Sequence, residues 1–294
     1  MECLYKNLSS IEKWFAEAPV PSTLKDDNDF MNIIVETMSR ALYLLRVGVS
    51  LAPNEEKTER GFTKHHAIIV GHMIRLTKLY DGFCLHVSKR QLEHAGIFMR
   101  LIHETEIRIN YFIKGNKRKA LKSYILTSYR SERQSLIDLE EKAKKRPLLP
   151  IEKRIKNSIM TCLRKDHISF KKLRAVKNWK IDGKDTREML RSLGREWQYS
   201  YAFGGASRWI HGGWLELSKY HLKRKGRYYL PRLEYGNPDP RIAGPMTFMC
   251  LETLIRFLKW SMADPDKYLE NITLKMMRYL QSIDEEHEKR LNKK

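Results

Sequence analysis

Apolar residues recur at helical spacing along most of this chain. Between residues 29 and 51 they fall three or four positions apart, and residues 89–114 repeat the pattern over their whole length. Such spacing places the side chains on one face of an α-helix, whereas a half-buried strand needs strict alternation. The sequence shows no alternating runs bounded by hairpin turns. It therefore predicts an all-α fold, a multi-helix bundle of about eight to ten helices without a substantial sheet.

Breaks in the helical pattern divide the chain into three predicted parts. We expect an N-terminal helical segment over residues 1–60, a main helical domain over 61–262, and an amphipathic helix with a charged tail over 263–294. Pro53 and the charged residues through Glu59 predict a loop, and Gly115 is a predicted helix cap. No apolar run has the length of a membrane span, and no signal peptide is recognisable, so we expect a cytoplasmic protein.

Residues 114–180 carry most of the excess positive charge. They contain 21 lysines and arginines against 6 aspartates and glutamates, a net charge of +15 within a chain of net charge +21. Their leucines and isoleucines are too frequent for a disordered tail, so we predict a helical hairpin with basic outer faces. A solvated surface is the simpler explanation, but the charge favours nucleic acid, RNA before DNA. The predicted phosphate-binding residues are Lys144, Lys145, Arg146, Lys153 and Arg154.

A second unusual stretch is WQYSYAFGGASRWIHGGWLEL, residues 197–217. Glycine pairs at 204–205 and 212–213 flank a polar cluster. Since each glycine inside a helix costs roughly 0.5–1 kcal/mol relative to alanine, these pairs predict helix breaks or close backbone approach around a site. The cluster consists of Ser207, Arg208 and His211.

The helix predicted over residues 89–114 carries a polar stripe among apolar residues. Arg100, Glu104 and Arg108 are spaced four residues apart, which on a solvated face gives ion pairs worth about 0.2–0.5 kcal/mol each. If the stripe instead faces inward, its charges need partners. We therefore expect this helix to pack against residues 199–211 and to form one polar pocket with them.

Together the two stretches resemble a known family. FMRLIHETEIRINYF supplies Arg100, Glu104 and Tyr111, and the aromatic stretch supplies Tyr199, Phe203, Ser207, His211 and Gly212. This arrangement is similar to the prokaryotic family catalogued as domain of unknown function 5677, over roughly residues 60–260. The resemblance implies an all-helical protein of bacteria and archaea, with some members near phage-defence genes and no established activity. On this basis Tyr111 and Tyr199 are predicted to bind substrate.

The chain also resembles the HEPN superfamily of helical ribonucleases. Those enzymes use an arginine and a histidine four to six residues apart, paired across a dimer, whereas Arg208 and His211 have only two residues between them. The resemblance implies a homodimer and metal-independent RNA cleavage, in which histidine takes a proton from a ribose 2′-hydroxyl and arginine stabilises the phosphorane. The candidate catalytic residues are Arg208, His211, Ser207, Arg100 and Glu104.

A non-enzymatic function stays open on the same residues. The Ser207, Arg208 and His211 cluster is equally compatible with a structural network, and the basic face with an adaptor that docks an acidic protein. A serine nucleophile is disfavoured because no GxSxG elbow precedes Ser207. We predict no cofactor and no metal, because the four cysteines form no CxxC pair and neighbouring histidines point to different helix faces.

Overall fold

The computed structural model describes residues 2–51, 62–114 and 118–292. The chain forms two compact units. Unit 1 contains Met1–Lys114 and Leu190–Lys294, and unit 2 contains Gly115–Met189. The loop predicted from Pro53 to Glu59 and the cap predicted at Gly115 lie outside the described residues.

Most of the described chain is helical. The first four helices are α1 (Glu2–Glu17), α2 (Asp27–Leu51), α3 (Lys64–Ser88) and α4 (Leu92–Ile113), with a 3-10 turn at Pro21–Thr23. Then come α5 (Arg118–Ser128), α6 (Arg130–Lys145), α7 (Pro150–Lys165), α8 (Phe170–Arg174) and α9 (Thr186–Ser192). A π-helical segment, Tyr199–Gly204, leads into α10 (Gly205–His211) and α11 (Trp214–Glu216), and a second follows at Leu217–His221. The last elements are β1 (Leu222–Lys225), β2 (Tyr228–Pro231), α12 (Pro240–Ser261) and α13 (Tyr268–Leu291).

The core of unit 1 lies among the long helices α2, α3, α4, α12 and α13. Large aromatic side chains fill it, and a buried hydrogen bond of 2.8 Å from the hydroxyl of Tyr80 to Thr247 Oγ1 joins α3 to α12. The mostly α-helical prediction is confirmed, with slightly more helices than predicted because short ones such as α8 to α11 add to the long ones. None of the helices in the described ranges is both long and apolar enough to cross a membrane.

Helix α12 starts earlier than the sequence pattern indicates. The pattern predicts a start at Met246, after Gly244-Pro245, but the helix begins at Pro240. Asp239 Oδ1 accepts the backbone N–H of Arg241 at 2.8 Å, and proline fits the first position of a helix. The helix therefore starts at the Asp239 cap, and it continues through Pro245.

A short hairpin is the main departure from the predicted fold. The sequence predicts a loop over residues 227–241, but β2 pairs antiparallel with β1 at its start. Gly226 has a φ of +63°, which lets a two-residue turn join the strands. Both strands are largely exposed, so neither shows the alternation of apolar and polar residues that reveals a half-buried strand.

Unit 2 has its own small core, in which Leu136, Leu163 and Leu173 are buried. The helix predicted over residues 117–145 is two helices, because the chain leaves helical geometry at Tyr129. At the turn before α7, Glu152 accepts the backbone N–H of Leu149 at 2.9 Å and satisfies a donor at the start of the helix.

Candidate functional site

The polar stripe of α4 meets the aromatic stretch, as the sequence predicts. The guanidinium carbon of Arg100 lies 3.2 Å from the ring centroid of Phe203. Glu104 lies 3.9 Å from Arg100 and also contacts Arg108. Tyr199 stacks on Phe203 with ring centroids 5.3 Å apart. This corner of unit 1 therefore combines a cation, a carboxylate and two stacked rings.

Close packing of α10 on α4 depends on one glycine. A Cβ atom at Gly96 would overlap the indole of Trp209. The residue in this position on α4 must therefore be very small if α10 is to approach. Ser207 Oγ, in α10, donates to the carbonyl of Phe203 in the preceding π-helical segment at 2.9 Å, so a local backbone bond occupies the serine hydroxyl.

Arg208 and His211 lie on the solvent side of α10. The helix ends at His211 and is capped by Gly212, which has a left-handed φ of +56°. Arg208 Nε donates to the carbonyl of Gly205 at 3.3 Å, and the imidazole of His211 makes no hydrogen bond or ion pair within the described chain. Ser207, Arg208 and His211 thus share one helix without bonding to one another.

Tyr111 lies far from solvent. Its side chain is fully buried, with its ring centroid 6.0 Å from that of Phe112. A ligand in solution does not reach a tyrosine in this position unless the core opens. The structure thus places Tyr199, which is only partly buried, at the Arg100 corner and Tyr111 in the core.

Sequence reasoning missed a buried ion pair beside the stripe. Glu106 is completely inaccessible to solvent and contacts Arg195, and its Oε1 also accepts from Asn110 Nδ2 at 2.6 Å. Burial raises the pKa of the Glu106 carboxyl, while the attraction of Arg195 opposes that rise. Glu106 and Asn110 form a polar i,i+4 pair inside an apolar run, a signal that could have been read.

The same network ties three parts of unit 1 together. Asn110 Nδ2 lies 3.3 Å from Thr253 Oγ1, and its Oδ1 accepts from Arg256 Nη1 at 3.0 Å. Both partners belong to α12, whereas Arg195 precedes the aromatic stretch. The network therefore fixes where that stretch leaves the core. No local pattern marks Arg195 as the partner, because 89 residues separate it from Glu106.

His103 stands next to this ion pair but is a neutral group. Burial, together with the nearby Arg195 and Arg100, lowers the pKa of His103 to about 4. Its Nδ1 lies 3.8 Å from the Glu106 carboxylate. At neutral pH the imidazole is therefore uncharged and is unsuited to donate a proton to a substrate.

A histidine–carboxylate pair occurs at the second π-helical segment. Glu216 is buried, and its Oε1 lies 2.7 Å from Nε2 of His221, whose ring is nearly half exposed. Residues five apart do not align on an α-helix, but a π-helix closes its turn from i to i+5. The pair was missed because sequence patterns are read with α-helical spacing. A carboxylate that orients an exposed imidazole prepares it for proton transfer.

This pair borders a cavity of about 480 Å³ between the start of α4 and the chain after α10. Glu93 and His94 line it from α4, with Trp209, Tyr220 and Tyr235 among the aromatic walls. A smaller cavity of about 150 Å³ is lined by Arg208, Glu216 and Lys219. Ligand sites are commonly about 300–1,000 Å³, so the larger cavity can take a group the size of a nucleoside.

The predicted phosphate-binding residues lie around the turn between α6 and α7 of unit 2. Lys144, Lys145, Lys153 and Arg154 are exposed, and none has an ion-pair partner among the described residues. Arg146 differs, because its guanidinium makes two hydrogen bonds of 2.8 Å to the Glu152 carboxylate. Its first role is therefore to hold the turn.

These features define a basic, mostly α-helical protein with a polar site between one long helix and an aromatic, glycine-rich segment. Residues 66–228 match the family model of DUF5677, a family of unknown function, and the chain belongs to that family. The match covers α4, the aromatic stretch and β1. No curated protein and no solved structure matches the chain. The likeness to HEPN ribonucleases is not shown by these comparisons.

Proposed function

We propose that the protein binds nucleic acid, RNA in preference to DNA, through phosphates at the basic face of unit 2. We define this face as Lys144, Lys145, Lys153 and Arg154. The observation that carries the proposal is that four exposed cations flank the turn between α6 and α7, and none of them has an acidic partner in the described chain. Unpaired cations on a helical hairpin suit a phosphate backbone, which presents negative charge at regular intervals.

The carboxylates of Glu152 and Glu140 are engaged by cations outside this face. Glu152 is held by Arg146 and lies 3.4 Å from Lys142, and Glu140 pairs with Arg174 at 3.1 Å. Hydrogen bonds from Arg146 lower the pKa of Glu152 to about 2, so its charge stays committed to that pair at neutral pH. The four cations of the face therefore keep their charge for an external partner.

Salt dependence measures this interaction directly. Each neutralised phosphate contributes a slope of about −0.7 to −0.9 to a plot of log affinity against log salt. Four contacts give a slope of about −2.8 to −3.6, so affinity should fall about 50- to 150-fold between about 50 and 200 mM salt. Fluorescence anisotropy with labelled RNA and DNA of one sequence gives the slope and the preference between them.

Charge reversal tests the face itself. Reversal of all four cations to glutamate should abolish binding of duplex RNA, with Arg146 left intact so that the α6–α7 turn is preserved. A matched comparison sets Lys153→Glu/Arg154→Glu against Lys78→Glu/Lys89→Glu, an equal charge change at exposed lysines of unit 1. Only the first pair should weaken binding and flatten the salt slope. Unchanged affinity and a flat slope would refute the proposal, and recovery of an acidic protein after nuclease treatment would favour an adaptor.

The pair of His221 and Glu216 favours a second function, metal-independent RNA cleavage. In this scheme Glu216 accepts the Nε2–H of His221, and Nδ1 of His221 takes the proton of a ribose 2′-hydroxyl while the new O2′–P bond forms and the P–O5′ bond breaks. Water supplies the proton that the departing O5′ needs, which leaves a 2′,3′-cyclic phosphate and a 5′-hydroxyl. Arg208, which lines a cavity with Glu216, stabilises the phosphorane charge.

Cleavage of a labelled RNA in EDTA tests this chemistry. His221→Gln and Arg208→Ala should each abolish cleavage without changing the melting temperature. Glu216→Gln should reduce the rate of cleavage. His211→Ala decides whether the exposed histidine of α10 takes part, and its exposure predicts a melting temperature like that of the native protein. Full activity in His221→Gln would exclude this assignment.

An effector role in phage defence rests on the family resemblance alone. Expression in a sensitive bacterium should then lower plaque counts, and the His221→Gln variant should not. Equal plaque counts with the native protein and an empty vector, across a panel of phages, would contradict the role.

A further inference from the structure

The β1–β2 hairpin and the nearby helix α11 expose aromatic rings to solvent. Tyr228 is 72% exposed and Tyr229 43% exposed. Trp214, 61% exposed, lies edge-on to Tyr229 with ring centroids 5.4 Å apart. A two-stranded hairpin is marginally stable by itself, and rings in solvent add little to its stability. These three rings are therefore available to a ligand.

Positive charge accompanies the rings on both faces of the hairpin. Residues 217–233 contain six lysines and arginines and no aspartate or glutamate. The strand register places Arg224 opposite Tyr229 and Lys225 opposite Tyr228. Residues directly opposite in a ladder project to the same face. Each exposed tyrosine thus has a cation beside it.

We infer that this hairpin binds single-stranded nucleic acid. Bases stack on the exposed rings while the phosphates between them meet the cations of β1. This combination of aromatic platforms and basic groups holds single strands with little sequence preference, because every base offers a π face. The inference shares its class of ligand with the proposed function, but it assigns a different surface, in unit 1, and a single-stranded ligand. The residues assigned are Trp214, Lys223, Arg224, Lys225, Tyr228 and Tyr229.

Two other occupants fit the surface less well. A second copy bound through the same face would place the cations of one hairpin against those of the other, which is unfavourable. An anionic membrane attracts basic and aromatic residues, but neighbouring strand residues point to opposite faces. A flat bilayer surface could then contact only one of Tyr228 and Tyr229 at a time, whereas a flexible single-stranded nucleic acid can contact both.

Replacing the rings tests the inference. In the full-length protein, Tyr228→Ala/Tyr229→Ala should weaken binding of a labelled oligouridine by about tenfold or more, as the loss of base stacking predicts. A duplex RNA of equal length should bind unchanged, because its bases are already stacked. The salt slope for oligouridine should also stay the same, since tyrosine rings carry no charge.

Matched variants separate stacking from loss of structure. Tyr228→Phe/Tyr229→Phe keeps both rings and should restore the affinity for oligouridine. Tyr201→Ala removes a tyrosine that is 81% exposed outside the hairpin and should leave binding unchanged. Oligouridine should quench tryptophan fluorescence, and that quenching should diminish in Trp214→Phe. Melting curves should coincide for all variants.

The outcomes distinguish this inference from the proposed function. If Tyr228→Ala/Tyr229→Ala loses binding of oligouridine and the unit 2 charge reversal does not, the hairpin inference is supported. If the charge reversal loses binding of duplex RNA, the proposed function is supported as well. If the alanine variant binds oligouridine like the native protein while the charge reversal does not, the hairpin inference fails and the proposed function stands. If the native protein binds phosphatidylserine vesicles through these tyrosines but no oligonucleotide, both fail.

Discussion

Arg195 and Glu106 form an ion pair in which solvent does not reach the carboxylate. Removing one partner of a buried pair leaves an uncompensated charge, which typically costs about 3–5 kcal/mol. Arg195→Met should lower the free energy of unfolding by that amount in urea titrations followed by circular dichroism. The double variant Glu106→Gln/Arg195→Met should recover much of the loss, because its amide is neutral and can still bond to Asn110.

A surface ion pair close in sequence provides the control. Arg191 and Glu196 pair at 2.7 Å, but both are substantially exposed, so Arg191→Met should cost less than about 1 kcal/mol. Equal losses from Arg191→Met and Arg195→Met would show that burial of Glu106 does not set the strength of its pair.

Gly96 should tolerate no larger residue. Alanine there places a methyl group in the volume of the Trp209 ring and should destabilise unit 1 by about 1–3 kcal/mol, as overpacking usually does. Gly71 in α3 has no atom near the position of an added Cβ, so Gly71→Ala should stabilise the protein by up to about 1 kcal/mol. Thermal melts of the two variants should shift in opposite directions. A shift in the same direction would mean that α10 can move away from α4 at little cost.

Acid should destabilise the protein partly through His72. Burial lowers its pKa from 6.5 to about 4, and one ring nitrogen lies 2.8 Å from the carbonyl oxygen of Ile68. As pH falls below about 6.5, the unfolded chain takes up a proton that the folded histidine refuses, so stability present above that pH is lost towards pH 4. The contribution of His72 to the free energy of unfolding should fall by about 2 kcal/mol between about pH 7 and pH 5.

Urea titrations at the two pH values isolate this contribution. His72→Phe should be less stable at pH 7, because it loses the contact with Ile68, but its stability should change less with pH. His66→Phe, at an exposed position in the same helix, should keep the native pH dependence. If His72→Phe retained the full dependence, other groups would be responsible for it.

The long helices could be predicted because their apolar residues repeat over many turns. Residues 89–114 gave α4 to within three residues at its start and one at its end. The hairpin could not be predicted in this way, because its strands bury neither face. The start of helix α12 was mispredicted because Pro245 indicated a helix boundary. The Asp239 cap, which sets the true start, lies outside the apolar repeat.

The candidate site was predictable only in part. Arg100 and the aromatic stretch stood out as polar and glycine residues in apolar surroundings, and their packing follows from the need to cover α4. The pairing of Glu216 with His221 depends on π-helical turns, and the pairing of Glu106 with Arg195 joins distant parts of the chain. Neither local spacing nor composition carries that information.

Lys114 and Ser192 mark where unit 1 is interrupted in sequence. Lys114 Nζ donates to the carbonyl of Ser192 at 2.7 Å, so the two backbone positions are within about 10 Å, a distance that three or four extended residues span. The residues between Lys114 and Ser192 could therefore be deleted or replaced during evolution, with a short connection joining the two ends. A relative could lose the basic hairpin, or carry another module in its place, and still inherit the same helical scaffold.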